Sequence, residues 1–212
     1  MGRVVKVIVN NPSDRIYFSN LDIKRPTHVA LSSLGFVYDF INIKDSYDIK
    51  YKGVTTTSSK PPVQTVVRRG HFTILELHQL TNNSLEVKGR EIVIKNFESA
   101  TSLTTGKTYT KLPFADIIER FQGVVVSMDC IDRRSSYEQD GGRLKQSASM
   151  RTVYFGNDAE SRKFFNYMPE RLDYIPVSPS CNSFKLDLLD MKGDPMEFQS
   201  PVNAEFFFMV ED

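Results

Sequence analysis

Apolar and polar residues alternate with a period of two along most of this chain, and that pattern constrains the fold more than any other feature. Tyr47, Ile49 and Tyr51 alternate with Asp48, Lys50 and Lys52, as in a strand with one buried face. Val124, Val126, Met128 and Cys130 share one face, and Val125, Ser127, Asp129 and Ile131 share the other. Phe184, Leu186 and Leu188 alternate with Ser183, Lys185 and Asp187, and Met150, Thr152 and Tyr154 with Arg151, Val153 and Phe155. Further runs rich in β-branched and aromatic residues cover 4–9, 15–18, 27–31, 36–43, 63–67, 91–95 and 204–210. About ten or eleven strands are expected.

Turn chemistry separates these runs. Asn10-Asn11-Pro12-Ser13-Asp14 closes a first hairpin, and Asp190-Met191-Lys192-Gly193-Asp194-Pro195 puts Gly193 where a left-handed residue is needed. The stretches 55–62 and 133–149 are polar loops. Helix is confined to two short places. Thr73 and Glu76 form a capping box, with Phe72 and Leu77 at the spacing of a hydrophobic staple. In 113–123, Pro113 and Gly123 bracket a segment whose Phe114, Ile117, Ile118 and Phe121 lie on one face. These helices interrupt strands without alternating with them, so a parallel sheet with regular crossover helices is not expected. The expected fold is all-β, a two-sheet sandwich or jelly roll with two short helical insertions, and the single jelly-roll β-sandwich is the form that the resemblance given below implies.

The 212 residues show no shift in composition, internal repeat or low-complexity linker, so one domain over 1–212 is expected. The charge balance of 27 basic against 26 acidic residues, net +1, argues against a dedicated nucleic-acid binder. No apolar run approaches the ~20 residues of a membrane helix, and the chain reads as soluble. Residues 1–10 suit a strand better than a signal peptide, and Lys6 breaks a myristoylation motif. Two cysteines, Cys130 and Cys181, are too few for a disulfide scaffold and suggest a reduced, intracellular state.

Nothing in the sequence marks an enzyme or a cofactor site. The three histidines, His28, His71 and His78, lack the paired spacing of a metal-dependent β-sandwich oxygenase, and surface or satisfied histidines are the better reading. There is no Gly-x-Ser-x-Gly elbow and no phosphate loop or dinucleotide fingerprint. Cys130 falls on an apolar strand face, as a buried inert thiol does. Asp129, Asp132, Asp187 and Asp190 suit solvent faces and strand ends. Arg68-Arg69 and Arg133-Arg134 are diluted by neighbouring acids, and a solvated loop explains the second pair.

The aromatic content is harder to place in a free monomer. Fifteen Phe and nine Tyr are present, with no Trp. In the last strand Phe206, Phe208 and Val210 occupy one face and Phe207 and Met209 the other, where a solvated face should be polar. In 36–43, Phe36, Tyr38 and Phe40 oppose Val37 and Ile41. Either the two short helices cover one sheet, or another subunit does. The second alternative marks Val37, Ile41, Phe207 and Met209 as a candidate subunit interface.

The C-terminal third carries a resemblance. Val125-Val126-Ser127-Met128-Asp129-Cys130-Ile131-Asp132 leads into a polar loop and then into Met150-Arg151-Thr152-Val153-Tyr154-Phe155. Tyr174-Ile175-Pro176-Val177 and Asn182-Ser183-Phe184-Lys185-Leu186-Asp187-Leu188-Leu189-Asp190 follow, and Lys192-Gly193-Asp194-Pro195-Met196-Glu197-Phe198 enters the final strand. This order resembles the single jelly-roll penton, or minor capsid, proteins of virophages, polinton or maverick elements and polinton-like viruses. Upstream, Gly70-His71-Phe72-Thr73-Ile74-Leu75-Glu76-Leu77 is similar to a short segment of capsid proteins from these elements. The resemblance implies a virion protein assembled in the host cell, forming homopentamers at the fivefold vertices of an icosahedral capsid. The faces of such capsids are built from a double jelly-roll major capsid protein. It implies no catalytic residue and no cofactor. No insertion large enough for a separate receptor-binding domain stands out in the sequence. A different reading of the same strands is a receptor- or glycan-binding β-sandwich head on a trimeric viral fibre.

Overall fold

The structure is a computed structural model that describes residues 2–10, 12, 14–52, 63–132, 137–140, 143–146, 149–155 and 163–211, with 137–140 and 143–146 described by backbone alone. In chain order the first strands are β1 (Arg3–Val9), β2 (Arg15–Tyr17), β3 (Pro26–Val37), β4 (Tyr47–Tyr51), β5 (Val63–Val67), β6 (Leu85–Lys88), β7 (Glu91–Ile94), β8 (Phe97–Ser102) and β9 (Thr108–Tyr109). They continue with β10 (Gly123–Met128), β11 (Tyr137–Asp140), β12 (Arg143–Gln146), β13 (Ser149–Tyr154), β14 (Phe164–Tyr167), β15 (Ile175–Pro176), β16 (Ser183–Leu189) and β17 (Asn203–Val210). Helices α1 (Ile74–Leu80) and α2 (Ile117–Arg120) are short, and a 3-10 turn spans Phe18–Leu21.

Backbone packing divides the chain into two compact units, Met1–Tyr38 with Gly123–Asp212, and Asp39–Gln122. One domain over 1–212 was the expectation from sequence; the second unit lies wholly between β3 and β10. Uniform composition conceals it, because both units are built from the same alternating strands.

In the first unit one sheet runs β1-β17-β3-β14, with β15 also paired to β3, and the other runs β13-β10-β16-β2. All of these pairings are antiparallel. Leaving aside the short β15 and the separate β11–β12 hairpin, the strands in chain order form sheets 1-8-3-6 and 5-4-7-2. That connectivity is a jelly roll, so the all-β expectation holds.

Its core follows from the alternation. Phe206, Phe208 and Val210 of β17 are buried, as are Val124, Val126 and Met128 of β10 and Phe184, Leu186 and Leu188 of β16. Phe184 reaches Phe208 at 5.3 Å and Phe206 at 6.4 Å between ring centroids, joining the two sheets. Phe18 closes the group at 5.6 Å from Phe184 and 5.4 Å from Phe208. A second group centres on Phe36, 5.8 Å from Phe155, 5.1 Å from Phe165 and 5.0 Å from Phe198. Tyr38 packs edge-on to Phe155, and burial pushes its phenol up to about 12.

Strand β3 corrects the sequence reading. The runs 27–31 and 36–43 were expected as separate strands, yet Pro26–Val37 is continuous and ends at Val37. Ser32-Ser33 suggests a break but forms a bulge: Phe206 pairs with Leu31 and Glu205 with Ser33, so Ser32 has no opposite residue. The extra residue lets Leu31 and Leu34, three apart, both enter the core. Beyond Val37 the chain leaves the sheet, and Ile43 is held by reciprocal backbone hydrogen bonds with Gly70, each 3.0 Å.

The second unit has a sheet ordered β5-β4-β8-β9 and a β6–β7 hairpin. Ile49, Tyr51, Val67, Leu77, Ile92 and Ala100 are fully buried there. The Thr73 hydroxyl accepts from Glu76 N at 3.1 Å while Glu76 Oε2 accepts from Thr73 N at 2.7 Å, so the expected capping box is present. The segment 113–123 is less helical than its pattern suggests, with α2 only one turn long. Phe114, Ile117 and Phe121 are nevertheless buried as expected. At the last hairpin Gly193 has φ 86°, and the buried Asp190 accepts from Lys192 N at 2.9 Å and Asp194 N at 3.0 Å.

Two stability effects follow. Phe184→Ala removes the ring shared by both sheets and is expected to cost about 3–5 kcal/mol, read as a lower urea midpoint. Thr73→Ala leaves the start of α1 uncapped and should cost about 1 kcal/mol, measured the same way.

Candidate assembly surface

The outward face of the β1-β17-β3-β14 sheet is assembled by register. Facing pairs across β1 and β17 are Val4 with Met209, Lys6 with Phe207, and Ile8 with Glu205. Across β17 and β3, Phe207 meets Ala30 and Met209 meets His28. Since Phe206 and Phe208 point inward, these rows point away from the core. Val4 is 54% exposed, Ile8 49% and Met209 39%, while Phe207 is half-buried. Lys6 Nζ and a Glu205 carboxylate oxygen, 2.9 Å apart, pair diagonally across this surface. The ion pair is set among the exposed apolar side chains of Val4, Ile8 and Met209.

A second apolar site lies on the same sheet. Phe164 pairs with Val37, and its partner residues Phe165 and Phe36 face inward. Phe164 is 66% exposed, with its ring lying across Gly35. A Cβ at Gly35 would come within 2.8 Å of Phe164 Cζ, so the glycine makes room for the ring.

Of the four residues marked from sequence, Val37, Phe207 and Met209 are on β3 and β17 of the first unit, and all point outward. Ile41 belongs to the second unit, outside any strand and half-buried. Val37 and Ile41 therefore do not share a strand face, because β3 ends between them. Sequence reasoning missed Val4, Ile8 and Phe164. Val4 and Ile8 alternate with Val5, Val7 and Val9 in an almost wholly apolar run, where pattern alone cannot say which face is wet.

The candidates for chemistry are held by local structure. His71 Nδ1 is 2.8 Å from the Phe40 carbonyl oxygen, and His78 Nδ1 is 3.0 Å from that of Leu85. Asp129 accepts from Arg15 Nη2 at 2.6 Å and Lys185 N at 2.7 Å, and Asp187 pairs with Lys185 at 3.0 Å. Among the described residues no three His, Cys, Asp or Glu cluster as metal ligands do, and no helix is long and apolar enough to cross a membrane. Arg133-Arg134 and the polar stretch 55–62 lie outside the described residues. Arg68 and Arg69 are exposed.

The two cysteines differ. Cys130 is buried, and desolvation pushes its thiol far above the usual range; Cys181 is half-buried and is raised for the same reason.

Neither a family model nor a curated protein matches the sequence. Among solved structures the chain is similar to the mavirus penton protein, crystallised in selenomethionine-labelled form. The identity is 8%, the TM-score 0.46, and the match covers 100% of each chain. The jelly-roll assignment rests on strand connectivity.

Native labelling distinguishes the thiols. Iodoacetamide at mild alkaline pH should modify Cys181 in the folded protein and spare Cys130, and both should react in denaturant. Peptide mass spectrometry reads the sites.

Proposed function

We propose that this chain is a structural capsid protein, a penton subunit that forms homopentamers at the fivefold vertices of an icosahedral double-stranded DNA virus or virus-like element. The observation that carries this reading is the exposed apolar outer face of a jelly-roll sheet, Val4, Ile8, Phe207 and Met209 around the Lys6–Glu205 pair. The penton-like order of C-terminal segments supports it. A ring of five uses a heterologous contact, in which one patch on each subunit meets a different patch on the next. Phe207 and Met209 supply one such patch, and Val37, beside Phe164 on the same sheet, and Ile41 belong to others. The remaining partner is a double jelly-roll major capsid protein, met inside the host cell and retained in the virion. The near-zero net charge of +1 favours close packing among identical copies, where a large like-sign charge would oppose it.

Native mass is the test. Five copies of a 24.2 kDa chain weigh about 120 kDa, and light scattering of the purified chain, alone or with the major capsid protein, should find that ring. A trimer of about 73 kDa would replace this reading with the fibre-head one. Phe207→Arg should abolish the ring while leaving the far-UV circular dichroism unchanged. Loss of secondary structure would instead make Phe207 part of an internal layer.

A further inference from the structure

Two hollows adjoin at the end of the sandwich where β1 and β3 begin and β2 and β17 end. One, of about 550 Å³, is walled by Tyr17, Ser19, Lys24 and Asn182 above the buried Phe18 and Ile23. The other, of about 520 Å³, is walled by Arg3, Arg25, Val210 and Glu211. Asp22 and Lys24 border both.

The backbone that shapes them is fixed at three points. Phe18 N donates to the Asn182 carbonyl at 2.9 Å, tying the 3-10 turn to the start of β16. Asp22 then adopts a left-handed φ of 52°, and Ile23 N returns to the Phe18 carbonyl at 3.0 Å. Glu211 N donates to the Arg25 carbonyl at 3.1 Å, fastening the end of β17 beside the start of β3. Lys24 thereby borders both hollows, and the adjacent Arg25 borders the second.

The polar groups divide into spent and unspent. Arg3 Nη2 donates to the Asp22 carbonyl at 2.5 Å and lies 3.5 Å from the Asp22 carboxylate, so those two charges balance each other. Among the described residues, Lys24 and Arg25 face no paired carboxylate, and neither the Ser19 hydroxyl nor the Asn182 amide has a hydrogen-bond partner. Among the described residues of the cleft Glu211 is the one uncommitted carboxylate, so two free cations stand there against one free anion. Tyr17 is 48% exposed at the rim. The combination is an aromatic ring, a neutral hydroxyl and amide, and two unpaired cations.

We propose that this cleft binds an acidic sugar, a pyranose bearing a carboxylate. The apolar C–H face of the ring lies against Tyr17, sugar hydroxyls pair with Ser19 and Asn182, and the carboxylate meets Lys24 and Arg25. A nucleotide suits the cleft less well, since no glycine-rich loop cradles a phosphate there. Every residue comes from one unit of one chain, so the proposal is independent of assembly and can fail or succeed apart from the penton reading.

The test is saturation-transfer and shift-titration NMR on the full chain with sodium glucuronate, methyl glucoside and sodium acetate. Glucuronate is expected to bind about tenfold more tightly than either of the others, because only it uses both the aromatic and the cationic wall. Lys24→Gln with Arg25→Gln should bring glucuronate down to the level of methyl glucoside, and Tyr17→Ala should bring it down to that of acetate. All three substitutions are on exposed side chains, and unchanged thermal melting verifies the fold. Acetate binding as tightly as glucuronate would overturn the proposal. So would glucuronate binding that survives Tyr17→Ala, or no saturation transfer at about 20 mM ligand.

Discussion

The stacking of Phe184 between Phe206 and Phe208, closed by Phe18, is the contact on which the first unit depends. A jelly roll is two sheets that share no backbone hydrogen bonds across the core, so side chains alone fix their separation. Aromatic rings suit that role because each buries a large area and prefers tilted or edge-on neighbours over free sliding. With 5.3 Å between Phe184 and Phe208, β16 and β17 are locked face to face. Their sheet partners β10, β1 and β3 are carried into place by the ladders.

The outer face reads differently once the core is fixed. A strand can turn only every second residue inward, so an apolar run such as Phe206-Phe207-Phe208-Met209 must leave Phe207 and Met209 on the other side. In the single chain, Phe207 is only half-buried and Met209 stays accessible. The short helices pack within their own unit, α1 with β5 and β6 and α2 with β7, all within 39–122. Of the two covers considered from sequence, an added subunit is the one that the penton reading requires.

Much of the sandwich was legible because alternation reports facing directly. β10, β16 and β17 bury the residues their periodicity marks, and the capping box of α1 and the turn at Gly193 follow from local chemistry. What escaped were features set by tertiary pairing. Phe164–Tyr167 forms β14 only because β3 offers it an edge, and the two-serine bulge hides the continuity of β3. The unit formed by 39–122 was illegible because strands of one unit look like strands of the other. At the candidate surface, Phe207 and Met209 stood out against the expected polar face. Val4 and Ile8 did not, since every residue of β1 except Arg3 and Lys6 is apolar, whichever face it is on. Phe164 sits in a short segment with no alternation to read.

The unpaired Ser32 in β3 also sets how the chain tolerates changes in length. One residue removed between Val29 and Ser32 cancels the bulge or shifts the rest of the strand by one place. In the second case Leu34 and Phe36 exchange sides with Ser33, Gly35 and Val37, bringing core residues to the surface and exposing the Phe36 ring group. Insertions in loops, by contrast, are absorbed there. Along this strand, residue count is therefore held as tightly as residue identity, and single-codon deletions should be far rarer in it than substitutions at the same sites.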